Sequence, residues 1–359
     1  MYDYIVEFMH KGNKMNQMNL DKKEFNHICT SVQSLYQNLN SYIYGQEKLI
    51  EEVLCCFLAS GNLLITGAPG LAKTTLVRVF SQMLGLSFGR IQFTPDLLPS
   101  DITGGEILNF DSETQKRSFQ FSKGPIFVNL LLADEINRAS PRTQSAMLEA
   151  MQEGNVTIGK KSHSIPSPFF VFATQNPFES EGTFPLPEAQ MDRFLLHTLV
   201  DYPDLASEEQ MLNRHVENKL IGETNQVLEK SPIEKNDVDL MIKYAKSTHF
   251  PKELIHVVNN MVSSTRPNSD LCPETFREMI WYGAGPRAGI SLISASRAFA
   301  LLEGEETVRW KHIKRMIKPV FRHRIKIVHN HDSIENESDS FIENIIETTE
   351  QKFTHLGVK

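Results

Sequence analysis

A short loop between an apolar strand and a helix restricts the fold of this chain more than any other feature of its sequence. Residues 63–66 have the pattern of a buried strand, residues 75–84 continue as a helix, and Gly67 and Gly70 let the loop between them turn tightly. Successive backbone N–H groups in such a loop point at a phosphate, and the following helix adds its positive N-terminal end. We therefore predict a phosphate-binding loop made of Gly67, Ala68, Pro69, Gly70, Leu71, Ala72, Lys73, Thr74 and Thr75.

Two side chains at the end of this loop indicate what it binds. Lys73 would reach the β- and γ-phosphates of ATP, and the hydroxyl of Thr74 would bind Mg²⁺. The loop departs from the pattern G-x-x-x-x-G-K-[ST] at Ala72, where the last glycine is usual. A methyl group fits there only if the residue already has helical backbone angles, so we expect the helix to begin by position 72. A chance loop is the alternative, and it leaves the flanking strand and helix unexplained.

A second apolar strand ends in two acidic residues. Residues 130–133 are apolar, and Asp134 and Glu135 follow them directly. Buried carboxylates are costly unless they meet a cation. In a nucleotide site Asp134 would hold Mg²⁺ through its water shell, and Glu135 would orient and polarise the attacking water. Taken alone, the same pattern also fits an acidic turn at the end of a strand.

A third apolar strand ends at polar residues, among them Asn176, before Pro177 stops it. Ligands of parallel sheets bind beyond the carboxyl ends of the strands. We therefore predict that Asn176 contacts the γ-phosphate or the attacking water. An asparagine that only caps a turn is the alternative.

Two arginines outside the strands are further candidates for contact with nucleotide. Arg193 lies between Asp192 and Phe194 at the end of a helix, where it is either a salt-bridged surface residue or an arginine finger for a neighbouring subunit. Arg287 follows Pro286 and opens a helix. We predict that Arg287 contacts the nucleotide of its own subunit and couples phosphate occupancy to the angle of the helical domain; an incidental arginine at a helix start is the alternative.

Apolar strands alternate with helical patterns in the first half of the chain, which predicts an α/β fold with a parallel sheet between helices. Residues 41–203 are assigned to this nucleotide-binding core. Residues 204–331 show helical patterns without a convincing strand and predict an all-helical second domain. An N-terminal extension with one docking helix (residues 1–40) and an acidic C-terminal tail (residues 332–359) complete the organisation.

Composition and charge narrow the classes of function. The formal net charge of −7 and the isoelectric point of about 6.0 disfavour non-specific binding of nucleic acid. No apolar run approaches the ~20 residues that cross a bilayer, and the N-terminus lacks the pattern of a signal peptide, so we expect no membrane insertion and a cytoplasmic location. The cysteines form no C-x-x-C pair, which indicates reduced, partly buried thiols at Cys29, Cys55, Cys56 and Cys272.

Several segments of the chain resemble the MoxR family of AAA+ ATPases, as does Ala72 before Lys73. The resemblance runs from about residue 41 to residue 331 and is most specific in residues 92–101, 130–153 and 179–183. It implies an AAA+ P-loop core with a C-terminal helical lid. It also implies a loop insertion at about residues 104–124 and an extra hairpin near residues 155–166.

The same resemblance implies an activity and partners. Members of the family hydrolyse ATP with Mg²⁺, form rings that are expected to be hexamers, and act as chaperone-like motors that mature or assemble other proteins. They often work with a separate partner that carries a von Willebrand factor A domain, and sometimes during metal insertion. By this resemblance Gly45 and Gln46 lie near the adenine, and Arg138 contacts nucleotide at the subunit boundary. No residue indicates the client protein.

Two other functions stay open at this stage. A nucleotide-gated scaffold with little turnover would not need Glu135, Asn176 and Arg193. A nucleic-acid motor with the same insertions would need basic residues facing a pore. The insertions offer only a modest excess of positive charge, with Lys116, Arg117, Lys123, Lys160 and Lys161 against Asp111 and Glu113.

Overall fold

Strands and helices alternate along the chain as far as residue 200, and helices predominate beyond it. The structure, a computed structural model, describes residues 22–68, 71, 73–110, 117–159, 161–177, 182–216, 233, 235–328 and 336–358. The elements of the first part are α1 (Lys22–Tyr42), α2 (Glu47–Leu58), β1 (Leu63–Gly67), α3 (Lys73–Met83), β2 (Phe88–Gln92), α4 (Pro99–Thr103), β3 (Gly104–Phe110), β4 (Arg117–Lys123), β5 (Leu130–Asp134), α5 (Pro141–Glu153), β6 (Asn155–Ile158), β7 (Lys161–Ser164), β8 (Phe170–Gln175), α6 (Glu188–Met191) and β9 (Leu196–Val200). Those of the second part are α7 (Leu205–Val216), α8 (Lys235–Ser247), α9 (Lys252–Ser264), α10 (Glu274–Arg277), β10 (Ile280–Tyr282), α11 (Pro286–Leu302), α12 (Trp310–Phe321), β11 (Lys326–Ile327) and α13 (Asn336–Lys352).

Five strands form one parallel sheet in the order β2-β5-β8-β1-β9. Every residue of β1 is buried, because helices cover both faces of the sheet. Parallel strands share one carboxyl edge, so β1, β5 and β8 end side by side at Gly67, Asp134 and Gln175. The predicted α/β fold with a parallel sheet between helices is confirmed, and three of the predicted motifs meet at one edge.

Two antiparallel hairpins project from the core where the resemblance implied insertions. β3 pairs with β4 directly after α4, and β6 pairs with β7 directly after α5. Gly104 has a positive φ of 81°, and a side chain there would collide with the backbone of Ser122, so the first hairpin requires glycine at its base. The stacked rings of Phe121 and His163, with centroids 3.9 Å apart, connect the two hairpins.

The second part of the chain is a helical lid, as predicted, but it also contains a short strand pair. β10 and β11 pair antiparallel through Ile280 and Ile327, and of these five residues only two are buried. The expectation that this region contains no strand was therefore wrong. Strands of three and two residues are too short for any hydrophobic alternation to show in the sequence.

The helices at both ends of the chain pack against the rest of the protein. α1 buries the apolar stripe that predicted a docking helix: Phe25, Ile28, Val32, Leu35 and Leu39. In α13 the weak apolar stripe of the acidic tail is also buried, and Glu343 and Glu350 pair with Lys318 and Lys314 of α12. The acids of this segment therefore neutralise basic residues of the lid.

All four cysteines are buried and unpaired, in agreement with the prediction of reduced thiols. Burial raises the pKa of the Cys29 thiol to about 11, so this thiol stays protonated at neutral pH. Among the described helices, none is both long enough and apolar enough to cross a bilayer.

Two histidines at the junction of core and lid predict a loss of stability in acid. Burial, with Arg322 nearby, lowers the pKa of His197 to about 3, and burial beside Arg324 lowers the pKa of His323 well below its ordinary value of 6.5. Below pH 6.5 these two histidines bind protons in the unfolded chain but stay neutral in the folded chain. The free energy of unfolding should therefore fall as the pH drops below 6.5, by about 1.4 kcal/mol per pH unit for each histidine that stays neutral.

Urea unfolding at a series of pH values from 7.5 to 5.5 measures this effect. His323→Gln keeps a donor for the carbonyl of Phe194 but does not titrate, so it should flatten the profile. An identical pH dependence in the variant would contradict the assignment to His323.

Candidate nucleotide-binding site

The phosphate loop joins β1 to α3 at the carboxyl edge of the sheet. Lys73 is the first residue of α3, is only 9% exposed, and donates a hydrogen bond of 2.6 Å to the carbonyl of Gly67. Ala68 and Leu71 are buried, and Thr75 lies in the first turn of α3. The predicted loop residues Pro69, Gly70 and Ala72 lie outside the described residues.

One cavity of about 320 Å³ brings together most of the predicted site residues. It lies beyond the carboxyl ends of β1, β5 and β8, where parallel sheets bind their ligands. Its walls include Lys73, Thr74, Thr75, Asp134, Glu135 and Asn176. Asn176 itself is only 8% exposed. The sequence placed these residues far apart in the chain, and the sheet makes them neighbours.

A network of polar side chains holds the two acids of this cavity. Oδ1 of Asp134 accepts a hydrogen bond of 2.5 Å from the hydroxyl of Thr174. Oδ2 of Asp134 forms an ion pair of 2.7 Å with the guanidinium of Arg90. Glu135 has a positive φ of 57°, which is uncommon for a residue other than glycine and is typical of functional sites. The backbone N–H of Glu135 donates a hydrogen bond of 2.9 Å to the same Thr174 hydroxyl, so one threonine positions both acids.

The side chain of Glu135 is held by two further residues. Gln92 donates to its Oε2 at 2.7 Å, and Arg138 pairs with the same oxygen at 3.1 Å. Arg138, implied as a contact at the subunit boundary, therefore lies beside Glu135 of its own chain. Sequence reasoning missed Arg90, Gln92 and Thr174. Arg90 and Gln92 alternate on β2, the strand next to β5, so the period of two combined with the strand order was the signal that could have found them.

Electrostatics in the cavity suit a phosphate chain. Burial lowers the pKa of Lys73 from its ordinary value, and the carboxylates of Asp134 and Glu135 partly offset this effect. A desolvated ammonium interacts more strongly with an incoming phosphate than an exposed one does.

The donor set of the cavity also fits Mg²⁺. Magnesium is bound by oxygen ligands and usually keeps several waters. Here the Thr74 hydroxyl and the carboxylates of Asp134 and Glu135 face the same space. Both oxygens of Asp134 already accept hydrogen bonds, which favours contact with the ion through its water shell.

Gly45 and Gln46 lie outside this cavity, beside the start of α7. Gly45 has a φ of 65°, and a Cβ atom there would lie 2.7 Å from Cβ of Ser207. The amide of Gln46 donates 2.9 Å to the carbonyl of Asp201. These contacts tie the segment to residues 201–207, and their role near the adenine stays a prediction.

Arg193 and Arg287 lie together at the opposite edge of the sheet. Both line a cavity with residues 60–62, which precede β1, and with Phe194 and Leu195, which precede β9. Five residues of β1 separate this edge from the phosphate loop, roughly 17 Å at about 3.3 Å per residue. This placement does not support the expectation that Arg287 contacts the nucleotide of its own subunit. The side chain of Arg287 is 63% exposed, and its Nη1 forms an ion pair of 3.4 Å with Oδ2 of Asp192.

Comparisons with known proteins show which family this chain resembles. Residues 62–196 match the sequence profile of the ATPase family associated with various cellular activities (AAA), and residues 275–345 match that of the AAA lid domain. The chain is 38% identical to "Chaperone MoxR1" of Mycobacterium tuberculosis over 306 residues, which cover 85% of this chain and 78% of that protein. It is 30% identical to "Protein MoxR" of Paracoccus denitrificans, covering 80% of this chain and 86% of that protein.

A solved structure of a protein described as an ATPase from Cytophaga hutchinsonii has the same fold. It superposes with a TM-score of 0.81 at 33% sequence identity, over 91% of this chain and 96% of that one. Fold and relatives agree, and the chain belongs to the MoxR family of AAA ATPases.

Proposed function

We propose that this AAA ATPase is a Mg²⁺-dependent ring-forming motor, hexameric by family resemblance, that remodels, assembles or matures partner proteins. We also propose that it works with a separate partner protein that carries a von Willebrand factor A domain, and that the maturation of its partner proteins includes metal insertion. One observation carries it. The phosphate-binding and water-activating groups line a cavity at one edge of the sheet, and an arginine pair lies at the other edge. A subunit built in this way needs a neighbour to complete its site.

Each side chain has a separate task in the in-line attack of water on the γ-phosphate. Lys73 binds the β- and γ-phosphates, and Asn176 contacts the γ-phosphate or the water. Glu135 orients the water and polarises it. Thr74 and Asp134 would hold Mg²⁺, which when bound neutralises charge on the phosphates. These roles match the way the side chains share one cavity.

Two partners hold the side chain of Glu135 through a single carboxylate oxygen. Oε2 accepts a hydrogen bond from Gln92 and pairs with Arg138, and these contacts set the orientation of the acid. Gln92 ends β2, and the chain then continues through α4 into the β3–β4 hairpin. We infer that movement of this hairpin changes how Gln92 orients Glu135, which links partner binding to hydrolysis.

A neighbouring subunit would supply Arg193 and Arg287. The side chain of Arg193 makes no hydrogen bond or ion pair within the described part of the chain, and Arg287 is largely exposed. An arginine that stabilises the transferring phosphoryl group from another chain needs this freedom. The lid then contributes to the neighbour's site instead of closing over its own.

The β3–β4 hairpin favours a protein client over nucleic acid. Its described residues expose Ile107, Leu108 and Phe119, the last of them 70% exposed. Exposed apolar side chains are suited to protein contacts, whereas phosphate contacts require clustered lysine and arginine. The name "Chaperone MoxR1" of a relative points the same way. We propose the cytoplasm as the compartment, because four unpaired thiols suit a reducing environment.

Trapping the ATP-bound state tests this proposal. Glu135→Gln should hold ATP without hydrolysing it and retain its partners, and Lys73→Ala is the matched control that cannot hold the phosphates. We expect proteins to co-purify with Glu135→Gln in the presence of ATP, to be absent from Lys73→Ala, and to survive nuclease treatment. Recovery of nucleic acid, together with salt-sensitive stimulation of ATP hydrolysis by single-stranded DNA, would favour a helicase-like motor instead.

A further inference from the structure

A buried turn of the lid carries three basic residues in succession. Arg322, His323 and Arg324 form a short 3₁₀ turn between α12 and β11, and each is less than 10% exposed. Two buried guanidinium groups are costly to desolvate unless charges and hydrogen bonds compensate them. The partners of this turn therefore indicate what it is for.

All three side chains donate to the short segment that carries Arg193. Arg322 donates a hydrogen bond of 2.8 Å to the carbonyl of His197, and His323 donates one of 3.1 Å to the carbonyl of Phe194. Arg324 donates to the carbonyls of Phe194 at 2.6 Å and Leu195 at 3.1 Å. The lid thus holds residues 192–197 by their backbone, from three successive positions.

Arg324 also connects this segment to two helices of the lid. It donates to the carbonyl of Val320 in α12 at 2.5 Å and to the hydroxyl of Ser291 in α11 at 3.2 Å. The planar guanidinium has its donors in fixed directions, so it sets geometry that a lysine cannot reproduce. Arg324 is therefore in contact with α11, α12 and the segment at the same time.

The carboxylate of Asp192 completes the arrangement. Its Oδ1 accepts 2.8 Å from Nε of Arg324, and its Oδ2 lies 3.4 Å from Nη1 of Arg287. One buried arginine thereby orients the acid that supports one exposed arginine. Arg193 is the next residue in the chain. Its side chain makes no hydrogen bond or ion pair within the described residues, whereas its backbone N–H donates a hydrogen bond of 3.2 Å to the carbonyl of Gln190.

We propose that Arg324 is a positioning residue that holds Arg193 and Arg287 in one fixed arrangement for the nucleotide of the neighbouring subunit and transmits lid movement to both. This inference rests on the proposed function, because it requires a site shared between chains. The contacts favour it over a purely stabilising role. Stability alone would be served as well by an apolar side chain of similar volume, whereas most of the donors of Arg324 reach the segment that carries Arg193.

Arg324→Lys tests the inference, because it keeps the charge and removes the fork of donors. We expect kcat for ATP hydrolysis to fall about 100-fold, as for catalytic groups displaced by about 1 Å, with KM within about twofold because the Lys73 cavity is untouched. Asp192→Asn is the second variant, in case Arg324→Lys folds poorly. Asp192 is partly exposed, and its loss should give the same pattern.

The matched control is Arg315→Lys. Arg315 is also a lid arginine that pairs with the core, through Glu51 and Glu52 of α2, but it does not contact residues 192–197. We expect a lowered melting temperature in this variant without a comparable fall in kcat. An equal fall in kcat would overturn the inference, because any weakening of the lid would then suffice.

Mixing subunits separates this inference from the proposed function. Arg324→Lys subunits retain an intact Lys73 cavity, and Lys73→Ala subunits retain intact arginines, so their mixture should regain activity. The reference is the mixture of Arg193→Ala with Lys73→Ala. If the reference regains activity and the Arg324→Lys and Asp192→Asn mixtures do not, the positioning role is wrong and the shared site stands. If the reference also stays inactive, the shared site itself is refuted, and the inference with it.

Discussion

A Glu135→Gln protein is expected to bind ATP about as tightly as the unaltered chain and to hydrolyse it about 100- to 10,000-fold more slowly, the range typical of loss of a general base. The substitution preserves size and removes only the charge that polarises water. Lys73 and Thr74, which hold the phosphates, are not changed. Steady-state hydrolysis and equilibrium binding of a labelled ATP measure the two quantities separately.

Glu149→Gln is a matched control for this experiment. Glu149 is an exposed acid of α5, and its neutralisation should leave both quantities unchanged. Unchanged turnover in Glu135→Gln would show that another group activates the water. The alternative hypothesis, a scaffold with little turnover, would gain support only if the unaltered protein hydrolyses ATP as slowly as Glu135→Gln is expected to.

An Arg193→Ala protein is expected to lose about three orders of magnitude in kcat, the lower range for loss of an arginine finger. Affinity for ATP should change little, because Arg193 lies at the edge of the sheet opposite the phosphate loop. The defect should therefore appear in the site of the neighbouring subunit. Mixing Arg193→Ala with Lys73→Ala subunits should restore part of the activity, in proportion to the fraction of mixed contacts.

A second mixture is the control for this result. Lys73→Ala and Glu135→Gln both damage the same cavity, so no combination of these subunits contains an intact site, and their mixture should stay inactive. Absence of rescue for Arg193→Ala at every mixing ratio would contradict a site shared between chains and would leave Arg193 as a surface residue.

The parts of the fold that were predictable from the sequence are those with a local signal. β1, β5 and β8 are buried on both faces and therefore appear as unbroken apolar runs. The docking helix α1 buries the stripe that its spacing indicated. The pair β10–β11 escaped because two strands of three and two residues carry no periodicity.

The candidate site divides in the same way. Lys73, Asp134, Glu135 and Asn176 follow strand ends, and parallel strands bring such ends together without further information. Gln92 and Arg90 were missed because their importance arises from the pairing of β2 with β5, and no local sequence pattern indicates which strands are neighbours.

Residue type and a few neighbouring positions were enough to predict the phosphate loop and the two acids, because each of these signals is local in the sequence. The positions of Arg193 and Arg287, together and away from that loop, became evident from the packing of core and lid. The same packing places Arg324 between the helices of the lid and the segment that carries Arg193. Arg324 and Asp192 are 132 residues apart in the chain. A hydrogen bond across such a separation depends on how core and lid pack, and no local pattern of residues records it.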